Sequence, residues 1–305
     1  MPTGKTITLS DKKHGLPFSK GLLAQSLTAT GLSPSKAHDI AAAIQEDLRE
    51  RGELSITVKR LRELTEEFLG RMAGEQWAER YRKLYRLSKL DRPLIVLIGG
   101  TTGVGKSTIA TEVAHRLGIT RIVSTDSIRE VMRGIFTKDL MPAIYESAFN
   151  AWRGLRVPVP QGANPVIVGF REQTAVVTTG VKALIDRSVI EGDSLVLEGI
   201  HLAPGYIETR QFKNARVVQL VIAVDDEDSH RSHFYIREVQ TDGMRPFERY
   251  RANFTNIRLL GHYIEDLARE RGIPVIVSHQ LDLTVADVIE HIIDAAVDEE
   301  FEAAP

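Results

Sequence analysis

Cysteine is absent from all 305 residues, which excludes disulfides and thiolate-bound metals. A dominant charge sign is missing as well. The 39 basic and 41 acidic residues leave a net charge of −2, too little for a global field that would hold nucleic acid or an anionic membrane. Any basic site has to be local. No apolar run approaches the ~18 residues of a membrane span, and the polar start MPTGKTITLSDKKHG has no signal-peptide apolar segment. A cytoplasmic protein with no membrane partner is expected. What the chain does have is 43% hydrophobic content, enough for the cores of one large domain or two ordinary ones.

The most informative stretch is LIVLIGGTTGVGKST, residues 94–108. An apolar strand run, Leu94 to Ile98, leads into Gly100, Thr101, Thr102, Gly103, Val104, Gly105, Lys106 and Ser107, a full match to G-x-x-x-x-G-K-[ST], with Thr108 following. Backbone N–H groups can wrap a triphosphate only where no Cβ intervenes, which accounts for the glycines. Lys106 is placed to neutralise the β- and γ-phosphates and the Ser107 hydroxyl to ligate Mg²⁺. Helix formers follow from Lys106, so the loop opens onto a helix N-terminus, whose dipole favours anions. ATP with magnesium is the expected ligand.

Upstream, KTITL and the turn DKKHG suggest a hairpin, followed by three helices: one capped by Ser19, one capped by Ser33 with Pro34 at its first position, and one beginning near Thr57. Residues 75–92 form a basic amphipathic helix with Trp77, Tyr81, Leu84 and Tyr85 near one stripe, a packing face for a helix that joins the small unit to the larger one. From Leu94 onward the pattern alternates. Further strands are expected at Arg121–Thr125, Ser194–Leu197, Arg216–Val224 and Pro274–Ser278, and a polar, Gly/Pro-punctuated region is expected to run to about Phe170 before a long helix. Five short strands separated by helices predict an α/β fold: a five-stranded parallel sheet flanked by helices, beside a small, mainly helical N-terminal domain.

Ligands of such sheets gather at the carboxyl ends of the strands. Asp126 ends the second strand, with Arg129 and Arg133 at helical spacing after it. A carboxylate there can take a proton from an attacking hydroxyl, and two arginines a turn apart can grip an anionic acceptor, the layout of a small-molecule kinase. Asp126 also suits a helix N-cap, with the arginines facing solvent. Glu198, at the tip of the next strand, is placed to support Mg²⁺ as partner of the loop hydroxyl, or to serve as a turn acid. His201 is placed to touch the acceptor or to position Glu198, unless it is simply packed. Residues 229–258 contain Arg231, Arg237, Arg245, Arg249, Arg251 and Arg258 and no lysine, a composition that fits an arginine-bearing lid tipped at Thr241-Asp242-Gly243. Arg231 and Arg237 are the favoured phosphate contacts. The segment also fits a pair of salt-bridged surface helices. A nucleic-acid surface is disfavoured, because the segment is short, the rest of the chain is neutral to acidic and no binding motif accompanies it.

Two resemblances add to this reading. Residues 7–27, ITLSDKKHGLPFSKGLLAQSL, followed by AHDIAAAI, resemble the ATP-cone, a nucleotide-binding regulatory module. The resemblance implies nucleotide contacts at Lys12 and Lys13, with Phe18 and Lys20 next in order. Across nearly the whole chain the ordered blocks VLIGGTTGVGKST, STDSIREVMR, LEGIHLAPG and HRSHFYIRE resemble the 2-phosphoglycerate kinase family. This implies transfer of the ATP γ-phosphoryl group to 2-phosphoglycerate, giving 2,3-bisphosphoglycerate. The expected domains are 1–74, ATP-cone-like; 75–92, a connecting helix; and 93–305, a P-loop kinase domain with its lid at about 229–258. The residues alone leave open a different hydroxyl acceptor, nucleoside or sugar, or an ATP-dependent switch that is not a kinase.

Overall fold

A computed structural model of the chain describes residues 7–10, 15–87, 89–244 and 246–302. They divide into two compact units, Met1–Leu90 and Asp91–Pro305.

In the first unit, strand β1 (Thr8–Ser10) pairs antiparallel with β2 (Gly15–Pro17) and parallel with β3 (Ser55–Thr57). The hairpin was legible, but β3, three residues ahead of a helix, is too short to show alternation. Lys12 and Lys13 lie outside the described residues. Helices α1 (Lys20–Thr28), α2 (Pro34–Glu50) and α3 (Val58–Met72) are capped by the side chains of Ser19, Ser33 and Thr57, which accept from the backbone N–H of Leu22, Lys36 and Arg60. Their inward faces supply Leu27, Ile40, Ile44, Leu48, Leu64 and Leu69, all fully buried; each is worth about 1.5–3 kcal/mol of transfer free energy. Helix α4 (Glu75–Leu87) belongs to this same core through Ala78, Trp77 and Tyr81, so it is a fourth helix of the small unit and not a free connector.

In the second unit, the strands β4 (Leu94–Gly99), β5 (Arg121–Ser124), β6 (Leu195–Glu198), β7 (Arg216–Ala223) and β8 (Val275–Val277) form one parallel sheet in the order β5-β6-β4-β7-β8. The central strand β4 is buried along its whole length, which is why it reads as an unbroken apolar run. Its connections are α5 (Lys106–Leu117), α6 (Thr125–Ile135), the long α7 (Pro165–Glu191), α8 (Glu227–Gln240), α9 (Phe247–Arg251), α10 (Phe254–Glu270) and α11 (Leu281–Glu302). Helix α7 starts well before the expected boundary: Asn164 accepts from the Val166 N–H at 2.9 Å and Pro165 takes the first helical position. Ahead of it, the region expected to be irregular contains two 3-10 helices, Pro142–Tyr145 and Ala148–Gly154. Register matters most for the site. Ser124 pairs with Glu198, and Glu198 with Ile98, so three strand tips end level with one another. Among the described residues no helix is long and apolar enough to cross a membrane.

Candidate active site

The loop between β4 and α5 adopts backbone that side chains resist. Gly100 has φ +133° and Gly103 φ +90°, and a Cβ at either would lie 2.3 Å from a neighbouring atom: the Ile222 carbonyl oxygen for Gly100, the Phe234 ring for Gly103. Helix α5 then begins at Gly105 with no side-chain cap, leaving its first N–H groups for an anion. Lys106 is buried, and its ammonium donates to the Thr101 carbonyl at 2.5 Å. Burial pushes its pKa below the usual lysine value, while Glu198 and then Asp126 pull it back up. The Ser107 hydroxyl donates to Glu198 Oε1 at 3.0 Å.

These groups open onto one cavity of about 620 Å³. It is lined by Thr102, Gly103, Gly105, Lys106, Ser107 and Thr108 of the loop, and by Asp126, Glu198 and Arg237. Of the remaining expected residues, Gly100, Thr101 and Val104 shape the loop from behind: Val104 is fully buried, and the Thr101 hydroxyl donates to the Ile257 carbonyl at 2.9 Å.

Asp126 sits in the first turn of α6 but does not cap it. The cap is Ser124, whose Oγ accepts from the Ser127 N–H at 3.0 Å, leaving the Asp126 carboxylate exposed and paired with Arg129 at 3.3 Å. Arg129 is turned toward the protein, donating to the backbone carbonyls of Glu146 and Ile144. Arg133 pairs with Glu130 at 2.6 Å and stacks over Tyr145, and does not line the cavity.

His201 corrects the expectation most clearly. It is fully buried, with Nδ1 2.9 Å from Thr125 Oγ1 and Nε2 2.9 Å from Gln173 Oε1. Gln173 Nε2 donates to the carbonyls of Ala143 at 2.6 Å and Glu146 at 3.0 Å, which fixes Oε1 as the acceptor facing the imidazole. His201 therefore donates from Nε2 and accepts the Thr125 hydroxyl at Nδ1. Burial drives its pKa down to about 4, against the pull of Asp126, so the ring is neutral at neutral pH. The contacts close into a circuit: Thr125, His201, Gln173, the Glu146 carbonyl, Arg129, Asp126, and back through the peptide bond to Thr125. Gln173 escaped sequence reasoning. Its trace is there all the same: an amide in a buried stripe that continues, four residues at a time, with Val177, Val181 and Ile185.

The arginine-rich segment is not a uniform phosphate clamp. Arg231 is held by Glu227 and Asp228, each at 2.9 Å, and lies over the Phe254 ring, away from the cavity. Arg251 pairs with Glu248, and Arg258 donates to the Val224 and Asp225 carbonyls at 2.6 and 3.1 Å. Arg245 is outside the described residues. What α8 does bring to the loop is histidine: His230 Nε2 lies 2.8 Å from the Thr102 carbonyl oxygen and His233 Nδ1 2.9 Å from that of Gly103. His230 is fully buried against Phe234, and burial lowers its pKa to about 4. The H-x-x-H spacing in the helix that follows β7 was the available signal.

Chemically, the arrangement sets an anion-binding loop with its lysine against a carboxylate pair, Asp126 and Glu198, in a single cavity. No protein-family model matches the chain. Among curated proteins it is 41% identical over 289 residues to the 2-phosphoglycerate kinase of Methanothermobacter thermautotrophicus, covering 95% of this chain and 94% of that protein. It is 40% identical over 288 residues to the 2-phosphoglycerate kinase of Methanopyrus kandleri, covering 94% and 87%. Among solved structures, a gluconokinase from Sinorhizobium meliloti aligns with a TM-score of 0.41 at 13% identity, covering 70% of this chain and 98% of that one. At such identity over nearly the full length of its curated relatives, the chain belongs to the 2-phosphoglycerate kinase family.

Proposed function

We propose that this protein transfers the γ-phosphoryl group of ATP to the free hydroxyl of 2-phosphoglycerate, giving 2,3-bisphosphoglycerate and ADP. The observation that carries the reading is the meeting of Lys106, Ser107, Glu198 and Asp126 in one cavity at the level strand tips. The names of relatives about 40% identical over the chain supply the acceptor.

In this mechanism the loop N–H groups and Lys106 hold the β- and γ-phosphates, exchanging the Thr101 carbonyl for phosphate oxygens. Asp126 orients the acceptor hydroxyl and takes its proton as the bond to phosphorus forms. Arg129, already locked to the wall at Ile144–Glu146, holds the Asp126 carboxylate in place and presents positive charge to the acceptor. Arg237 stabilises the transferring phosphoryl group. Most of the rate comes from positioning and charge, since phosphoryl transfer asks little covalent chemistry of the protein.

The oxygens of Ser107 and Glu198 suit a hard divalent cation, and no group of three His, Asp or Glu residues fit for a metal occurs among the described residues. That pairing fits Mg²⁺ arriving with ATP, held by one or two protein oxygens together with phosphates and water. When bound, the ion would supply charge neutralisation to the triphosphate.

The test is Lys106→Ala in an assay coupling ADP release to ATP and 2-phosphoglycerate. Turnover should fall to background, and undiminished turnover would overturn the mechanism. A panel of nucleosides and sugars in the same assay separates the acceptor from its rivals. Residues 1–74 are read as an ATP-cone-like domain with Lys12 and Lys13 at its nucleotide site. A second ATP equivalent that survives Lys106→Ala in calorimetry, but not substitution of both lysines, is the expected result.

A further inference from the structure

Helix α8 leaves the tip of β7 and grips the phosphate loop with two imidazoles a helical turn apart, one on the Thr102 carbonyl and one on the Gly103 carbonyl. A carbonyl oxygen only accepts, so both contacting ring nitrogens carry hydrogen. Each bond also polarises the peptide whose N–H, that of Gly103 or Val104, serves the loop, strengthening it as a donor.

The two histidines differ in where the rest of the ring lies. His230 is fully buried, so its other nitrogen has no route to a ligand. His233 borders the cavity together with Gly103, Lys106 and Ser107. Its Nδ1 is committed to Gly103, and Nε2, across the ring, is left for whatever the loop holds. Arg231, two residues before it, is taken up by Glu227 and Asp228 and brings no charge to this spot.

We propose that His233 is a nucleotide-binding residue: anchored through Nδ1 to the Gly103 carbonyl, it donates from Nε2 to a phosphate oxygen of bound ATP. The assignment rests on reading Gly100–Ser107 as the ATP site. With Nδ1 already a donor, Nε2 donates as the imidazolium form of the ring.

Two substitutions separate the ring nitrogens. His233→Asn keeps a donor near the Nδ1 position and loses Nε2, whereas His233→Gln keeps a donor near the Nε2 position and loses the anchor. ATP affinity is read by calorimetry, and KM for ATP and for 2-phosphoglycerate by turnover, with matched urea midpoints showing that the variants are folded. His233→Asn should weaken ATP roughly 10- to 100-fold, as loss of a charged hydrogen bond does, without moving KM for the acceptor, and His233→Gln should recover part of the loss. Wild-type ATP affinity in His233→Asn, or a Gln variant no better than Asn, overturns the proposal and leaves His233 as an anchor only. Lys106→Ala is the control: if it binds ATP as tightly as the wild type, the ATP site itself is misassigned, whereas loss there beside an unaffected His233→Asn indicts His233 alone.

Discussion

The Ser107 hydroxyl and the Glu198 carboxylate, 91 positions apart in sequence, meet at 3.0 Å because β4 and β6 are neighbours in register. Glu198→Gln retains an acceptor for Ser107, so the loop should stay folded while the negative charge is lost. We expect kcat to fall by about 100-fold or more and the magnesium requirement to rise. An ADP-release assay titrated with Mg²⁺ checks both, and a kcat within threefold of wild type would remove Glu198 from the machinery.

Ser124, not Asp126, caps α6. Asp126→Asn should therefore leave stability within about 0.5 kcal/mol, as for an ordinary surface change, while costing on the order of 10²–10⁴ in kcat. Urea midpoints and turnover measured on the same preparation separate the two effects. A stability loss matching the activity loss would favour a structural role.

Gln173→Leu removes the amide donor from the Ala143 and Glu146 carbonyls and leaves the His201 Nε2–H without its acceptor. A loss of about 1–3 kcal/mol of stability is expected from that alone. The circuit through Arg129 adds a kinetic signature: KM for 2-phosphoglycerate rises or kcat falls, with KM for ATP unchanged. Equal damage to both substrates would argue that the circuit only holds the fold.

His201 and His230 both have pKa values driven from the usual 6.5 down to about 4 by burial. Below the ordinary value the unfolded chain takes up protons that the folded chain refuses. Their contribution is thus fully present above pH about 6.5 and is lost as pH falls toward about 4, by about 3 kcal/mol for each at most. Urea unfolding across that window should show stability dropping with acid, and His201→Gln should flatten the slope. A flat profile in the wild type would contradict the assignment of neutral buried rings.

Arg231 and Arg237 lie less than two turns apart on α8, yet only Arg237 lines the cavity. Arg237→Ala should reduce kcat by tenfold or more, whereas Arg231→Ala, which breaks surface pairs, should change it less than threefold; the order of magnitude follows from removing a charge-stabilising donor against removing exposed ion pairs. Reversal of that order in steady-state assays would restore Arg231 to the phosphate site.

The phosphate loop, the parallel sheet and the strand-tip acid Glu198 were legible because each depends on local pattern: an apolar run, three glycines at fixed spacing, an acid ending a strand. Asp126, expected at the tip of the second strand, lies instead in the first turn of α6. His201, Gln173 and the arginines were not, because their roles depend on what they meet. The Arg231 guanidinium found Glu227 and Asp228 on its own helix, a choice the spacing allows but does not force. His201 lies three residues past a strand-tip acid, as a ligand-binding histidine would, and only tertiary packing turns it inward to Gln173. The start of α7 was missed for a different reason: Asn164-Pro165 is a capping signal, and it was read as punctuation.

Gly103 has no room for a methyl group, because the Phe234 ring stands where it would go. The motif's glycines are usually explained by what they admit; this one is equally explained by what abuts it. Phe234 in turn lies parallel to Tyr250 with ring centroids 4.6 Å apart, so the loop's shape is propped by an aromatic stack whose members are far from it in sequence. A larger residue at position 103 would damage the protein even where no nucleotide is ever bound, and a change at Tyr250 can be felt at the phosphates without touching them.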